Sequence, residues 1–363
     1  MSHFVKMSKA SLNKPFSGKE KEQLEELRKT AVPRYVFRAF SNDSGGGPEH
    51  CTNTVDEIIP HGFMHGRQGH RFYEMSKADI KAMTYAHFLT DEEIVSEFSS
   101  WSASLLMVLC YAKYLENLGE EGIHVAVIDV HQLADDVLVW QVPHLDDEWK
   151  RNASVHEFMA HGCIRGPGYK AVPFEHIKEE EVERLFPELL ELDEDDMFAE
   201  KIRQQMFERD PPYDLSFTQK GIIRDIGILF EPLDMPVTTA LACARPRPWV
   251  SFNNERFDAR AQTPSRYALR SLQRDALRYN RIFADKADVS TAEWLARGSV
   301  VTGPTPDGDD FPDERQWIDL LRAMAVLKEQ PLVSNIGKRK RDENEDKENL
   351  DDWRVERSKN SLY

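Results

Sequence analysis

Cysteine is scarce and scattered in this chain: the four residues Cys51, Cys110, Cys163 and Cys243 include no CxxC pair. Zinc ligand sets and disulfide frameworks both need closer spacing, so neither is expected, and reduced thiols in the cytosol or nucleus are the natural reading. Long apolar runs are missing too, since no stretch approaches the roughly 18 consecutive apolar residues of a membrane span. The opening segment, MSHFVKMSKASLNKPFSGKEKEQ, has no apolar core that could act as a secretory signal. Positive charge is in deficit: a formal net charge of -16 repels nucleic acid and anionic membrane from the average surface, so broad binding to either is not expected. What is present is 40% apolar residues in 363, enough to fill substantial cores in an intracellular protein.

The pattern along the chain predicts an α+β protein. Residues 1–32 are polar and read as a flexible N-terminal segment, with a short charged helix over Lys19 to Lys29. Residues 33–177 read as an α/β domain. Its strand candidates are RYVFRAF (Arg34 to Phe40), Glu97 to Ser100, IHVAVIDV, VLVWQV, VHEFMA and YKAVPF, all rich in β-branched or aromatic residues. A glycine-rich stretch through Gly45, Gly46 and Gly47 follows the first strand as a loop. Helices are expected at Met75 to His87 and from Ser102, as the cap, to Gly119. Near Lys178 the composition turns acidic and leucine-rich, so residues 178–334 are expected to form a mainly helical region, with helix-period patterns at Phe217 to Phe230, Arg266 to Phe283, Ala292 to Arg297 and Glu314 to Lys328. Residues 335–363 are nearly all charge and are expected to be disordered.

Three pieces of the α/β stretch can carry chemistry together. Arg38 lies on a first strand, where its planar guanidinium can clamp a phosphate bidentately. Ser99 and Ser100 precede an apolar helix; the Ser99 hydroxyl can brace a neighbouring carboxylate, and Trp101 offers a flat face. Glu157 sits among apolar neighbours on a strand whose alternate residues Val155, Glu157 and Met159 share one side. Taken singly, each has a plain alternative: an edge-strand arginine, serines satisfying a helix entrance, and a glutamate paired with Arg165.

The pieces RYVFRAF, EFSSWSASLLMVLCYA, IHVAVIDVHQLADDVLVW and SVHEFMAHGCIRGPGYKAV resemble the ADP-ribosyltransferases of the Arg-Ser-Glu class, represented by the cholera and heat-labile enterotoxin catalytic chains. A family of uncharacterised fungal proteins with the same set is also similar. The resemblance implies an ADP-ribosyltransferase-like split β-sheet domain followed by the helical region, and NAD as substrate. It implies that Arg38 holds an NAD phosphate and the adjoining ribose, with Ser99, Ser100 and Trp101 completing the binding surface. Ser99 would support Glu157, and Glu157 would bond the ribose 2'-hydroxyl and stabilise an oxocarbenium-like centre as nicotinamide leaves, with ADP-ribose passing to an unknown protein acceptor. Val155 stands where arginine-modifying members carry glutamate or glutamine, which argues against arginine as that acceptor. Trp101 replaces a small residue, and either crowds the nicotinamide pocket or stacks on it. The alternatives are an inactive interaction module of the same fold and an NAD glycohydrolase using water.

Other features point elsewhere. His61, His65 and His70 match no standard ligand spacing, so no metal is expected. Arg266, Arg270, Arg274 and Arg278 would lie along one helix face, best read as an internal contact with the acidic segment. The run Lys338, Arg339, Lys340 and Arg341 resembles a signal read by a nuclear import receptor, which favours the nucleus over the cytoplasm.

Overall fold

The computed structural model describes residues 14–89, 94–145, 157–192, 202, 206, 207, 215–246, 312–314, 316 and 317. The predicted helices at Arg266 to Phe283 and Ala292 to Arg297, the four-arginine stripe and the basic tail run lie outside these residues.

Alternating residues of the strand-forming runs are buried on both sides, which makes their sequences almost continuously apolar. The strands are β1 (Tyr35–Phe40), β4 (Phe98–Ser102), β5 (His124–Asp129), β6 (Leu138–Gln141), β7 (Glu157–His161) and β9 (Tyr169–Pro173). They form one antiparallel sheet in the order β6-β7-β4-β1-β5-β9. The register puts Tyr35, Phe37 and Ala39 on one face with Ser100, Ser102, Glu157, Met159 and Val127. Val36, Arg38 and Phe40 point to the other face with Ser99, Trp101, Phe158 and Ala160.

Helices cover the first face. Over β1 and β5 lies α3 (Leu105–Asn117), whose apolar side (Leu106, Leu109, Cys110, Ala112) packs on Phe37 and Val125. Its N-terminal cap is Ser104, which accepts from Met107 N at 3.0 Å, and not Ser102 as expected, because β4 runs on through Ser102. At the other end Gly119, at φ 77°, lets its own N–H reach Glu116 O and the Glu120 N–H reach Leu115 O, so the last carbonyls are satisfied. Over the β6–β7–β4 half lies α2 (Lys77–Leu89), where Ile80 and Met83 meet Phe98, Trp140 and Met159.

A small second sheet covers the other face: β2 (Cys51–Asn53), β3 (Glu57–Pro60) and β8 (Ile164–Arg165), in the order β2-β3-β8. Ile58 and Ile164 close over Val36, Phe40, Trp101 and Phe158. The stretch after β1 is therefore more than the connecting loop expected from its glycines.

Two expectations about domain limits are corrected. Residues Gly18–Ala31 form helix α1 with a complete Ser17/Glu20 capping box, and the helix docks on the body. Glu25 accepts from the Tyr73 hydroxyl, Lys77 pairs with Glu20, and Lys21 lies over the Tyr73 ring at 4.6 Å. This part of the segment is anchored and does not behave as a flexible lead-in. Nor does residue 178 separate two cores. Leu185, Phe186 and Leu189 share one apolar cluster with β1 and α3, together with Ile223 and Ile226 of α4 (Phe217–Leu229) and Val237 and Leu241 of α5 (Asp234–Cys243). Trp317 enters the same cluster, 5.5 Å from the Phe37 ring, with its indole N–H donating to Thr239 at 2.9 Å.

Candidate functional site

β1 and β4 pair at one position only, Phe37 with Ser102. Beyond it the strands part, and β4 loses its neighbour on that side. Arg38 stands at this opening: its Nη1 donates to Ser100 O at 3.1 Å and its Nη2 to Asn53 Oδ1 at 3.4 Å. The guanidinium thus supplies a donor that the departing β1 backbone no longer offers. Its Nε is buried and has no partner among the described residues, an unspent donor beside the opening. Arg34, four residues earlier, is held in a buried ion pair by Asp129, with bonds of 3.0 and 2.6 Å, so it is not available to a ligand.

Glu157 opens β7 directly across from Ser102. Burial pushes its carboxyl above the usual range, and no neighbouring charge among the described residues offsets this. Arg165, the alternative partner considered from sequence, reaches Glu57 instead at 4.0 Å.

Ser99 lies on the opposite face from Glu157, because the β4–β7 register pairs it with Ala160. Its hydroxyl accepts from the Trp101 indole at 3.0 Å, and both side chains are enclosed between the sheets, 1% and 2% exposed. The structure therefore brings Arg38 and Ser100 together and sets Ser102 beside Glu157, while Ser99 and Trp101 brace each other in the core. The Trp101 ring does not present a free face.

Two polar clusters were not read from the sequence. His87, on α2, has Nε2 at 2.7 Å from Ser100 Oγ and Nδ1 at 3.1 Å from Ser96 Oγ. Burial, and then the charge of Arg38, push its pKa down to about 4, so it is uncharged at neutral pH. The amphipathic pattern of α2 places residue 87 one turn beyond Met83, but nothing in the pattern says which serine it meets. The second cluster centres on the buried Glu97, which accepts from His161 Nε2 at 2.9 Å, from the His70 backbone N–H at 3.0 Å, and pairs with His70 Nδ1 at 2.5 Å. Burial pushes this carboxyl up, but these bonds outweigh it and hold it below the usual range. His161 Nδ1 is left buried without a partner among the described residues.

These elements define an α+β protein whose antiparallel sheet is parted at an arginine. A family model described as a domain of unknown function (DUF7587) matches residues 31–167, the stretch that carries Arg38, Ser99, Ser100 and Glu157. No curated protein and no solved structure matches the chain. No helix among the described residues is long and apolar enough to cross a membrane.

Proposed function

We propose that the chain is an NAD-dependent, mono-ADP-ribosyltransferase-like protein that cleaves the nicotinamide–ribose bond and transfers ADP-ribose. The observation that carries this reading is the parting of β1 from β4 at Arg38, across β4 from a half-buried Glu157 that lies on the opposite face of the same sheet and whose charge nothing among the described residues offsets. A split β-sheet with arginine on its first strand and glutamate on a late strand is what the resemblance leads one to expect. The unspent Arg38 Nε fits a group that brings its own negative charge, such as a diphosphate. A desolvated carboxylate beside the breaking glycosidic bond stabilises developing positive charge, worth a few kcal/mol of barrier, or about a hundredfold in rate. In this reading the serine beside Glu157 is Ser102, with Ser100 nearer the arginine, and Ser99 acts through the packing of Trp101.

A specific observation favours a second reading. Ser99 and Trp101 are spent on each other, so a non-enzymatic relative that uses the fold as an interaction module is the rival. Incubation with NAD labelled on the adenylate separates them. The transferase reading expects nicotinamide release and label on an acceptor, both reduced about a hundredfold or more in Glu157→Ala; a module releases none. Nuclear residence belongs to the same proposal, through Lys338, Arg339, Lys340 and Arg341 as an import-receptor site. Deleting these four residues is expected to shift the protein to the cytoplasm, and an unchanged distribution contradicts that role.

A further inference from the structure

The identity of the group that receives ADP-ribose is the open part of the reading above, and His87 bears on it. The Ser100 hydroxyl shares a face of the sheet with Glu157, two residues along β4 from the serine opposite that glutamate. It is bonded to His87 Nε2 at 2.7 Å, and the far ring nitrogen is oriented by Ser96 at 3.1 Å. Ser100 is partly exposed, and Arg38 grips the carbonyl of the same residue. A hydroxyl, a base and an orienting group are therefore hydrogen-bonded in sequence beside the opening.

We propose that the ADP-ribose acceptor is a hydroxyl group, water or an alcohol side chain, whose proton is relayed through Ser100 Oγ to His87 Nε2. This rests on the transferase reading. As the glycosidic C1'–N bond breaks, its electron pair leaves on nicotinamide, which departs neutral, and the acceptor oxygen forms the new bond to C1'. The acceptor proton passes to Ser100 Oγ while the serine's own proton moves to His87, and the resulting imidazolium returns it to solvent. Burial and Arg38 both disfavour the charged ring, so the relay resets readily. A weak base suffices against an oxocarbenium-like centre, because proton loss follows bond formation. A guanidinium acceptor fits poorly: it would bring a second cation beside Arg38, Val155 offers it no carboxylate, and no other charge acts on Glu157 among the described residues.

The test uses the full chain with labelled NAD and three small acceptors in turn: ethylene glycol, agmatine and azide. The proposal expects transfer to water and glycol in the wild type and little to agmatine. His87→Leu and Ser100→Ala should each lower hydroxyl transfer at least tenfold, with the double variant no worse than either alone. Azide, which has no proton to lose, should restore nicotinamide release in His87→Leu but not in Glu157→Ala. Preferential transfer to agmatine, unchanged hydroxyl transfer in His87→Leu, or no rescue by azide overturns the relay while leaving the transferase reading intact. Absence of nicotinamide release from the wild type with every acceptor overturns both.

Discussion

At the scale of single residues, the side chains around the opening are held in states that cost stability. Glu157 is the clearest case. Its folded pKa lies above the unfolded value, so the native chain binds the proton more tightly and its stability falls as pH rises through that window. Glu157→Gln removes the charge without removing the shape. It is expected to leave the melting temperature at neutral pH unchanged or raised while turnover collapses, whereas a merely structural glutamate would lower both. His87 works in the opposite sense. Its folded value of about 4 lies below the ordinary 6.5, so the unfolded chain takes up the proton that the native ring refuses. Its contribution is full above pH 6.5 and is lost as pH falls toward 4, on the order of 2 to 3 kcal/mol. Urea unfolding at pH 7 and pH 4.5 should show this loss in the wild type and a smaller one in His87→Gln; equal losses would mean that the ring is not held uncharged.

At the scale of elements, local signals and distant pairings divide what can be read from the sequence. Helix α3 was legible at its C-terminal end, where a glycine must adopt a left-handed backbone, whereas its cap is Ser104 and not the expected Ser102, which still belongs to β4. Gly119→Ala is expected to cost about 1 kcal/mol from backbone strain alone, since a Cβ there meets nothing within 4 Å. Chemical denaturation checks it, and an unaltered midpoint would contradict the assigned C-terminal motif. The long strands were legible from their β-branched and aromatic runs. The second sheet was not, because CTN, EIIP and IR are too short to carry a period, and β8 joins β3 across more than a hundred residues. The choice among serines was hidden for a related reason. The pattern put Ser99 and Ser100 on a strand and Ser102 at a helix cap; the strand runs on through Ser102, and only the β4–β7 register says which serine shares a face with Glu157. His87 and Ser96 were silent because their contact depends on how α2 returns over β4.

At the scale of the whole molecule, the helical half belongs to the same core as the sheet. Phe37 of β1 meets Trp317, and Ser104, the cap of α3, donates to the buried Asp313, more than two hundred residues away. The abrupt change of composition near residue 178 marks a change of secondary structure, since the apolar faces on either side of it bury each other. Trp317→Ala is expected to destabilise the sheet and the helices together by roughly 3 to 5 kcal/mol, in one unfolding transition. Separate transitions followed by probes in the two halves would contradict a shared core. That core holds β1 in place, and β1 carries Arg38 to the opening on which the functional account depends. The most direct measurement of that account is nicotinamide release from NAD by the full chain, beside Glu157→Gln under the same conditions. The account predicts release by the wild type and a loss of about a hundredfold or more in a variant that remains folded; no release by the wild type, or equal release by both, would contradict it.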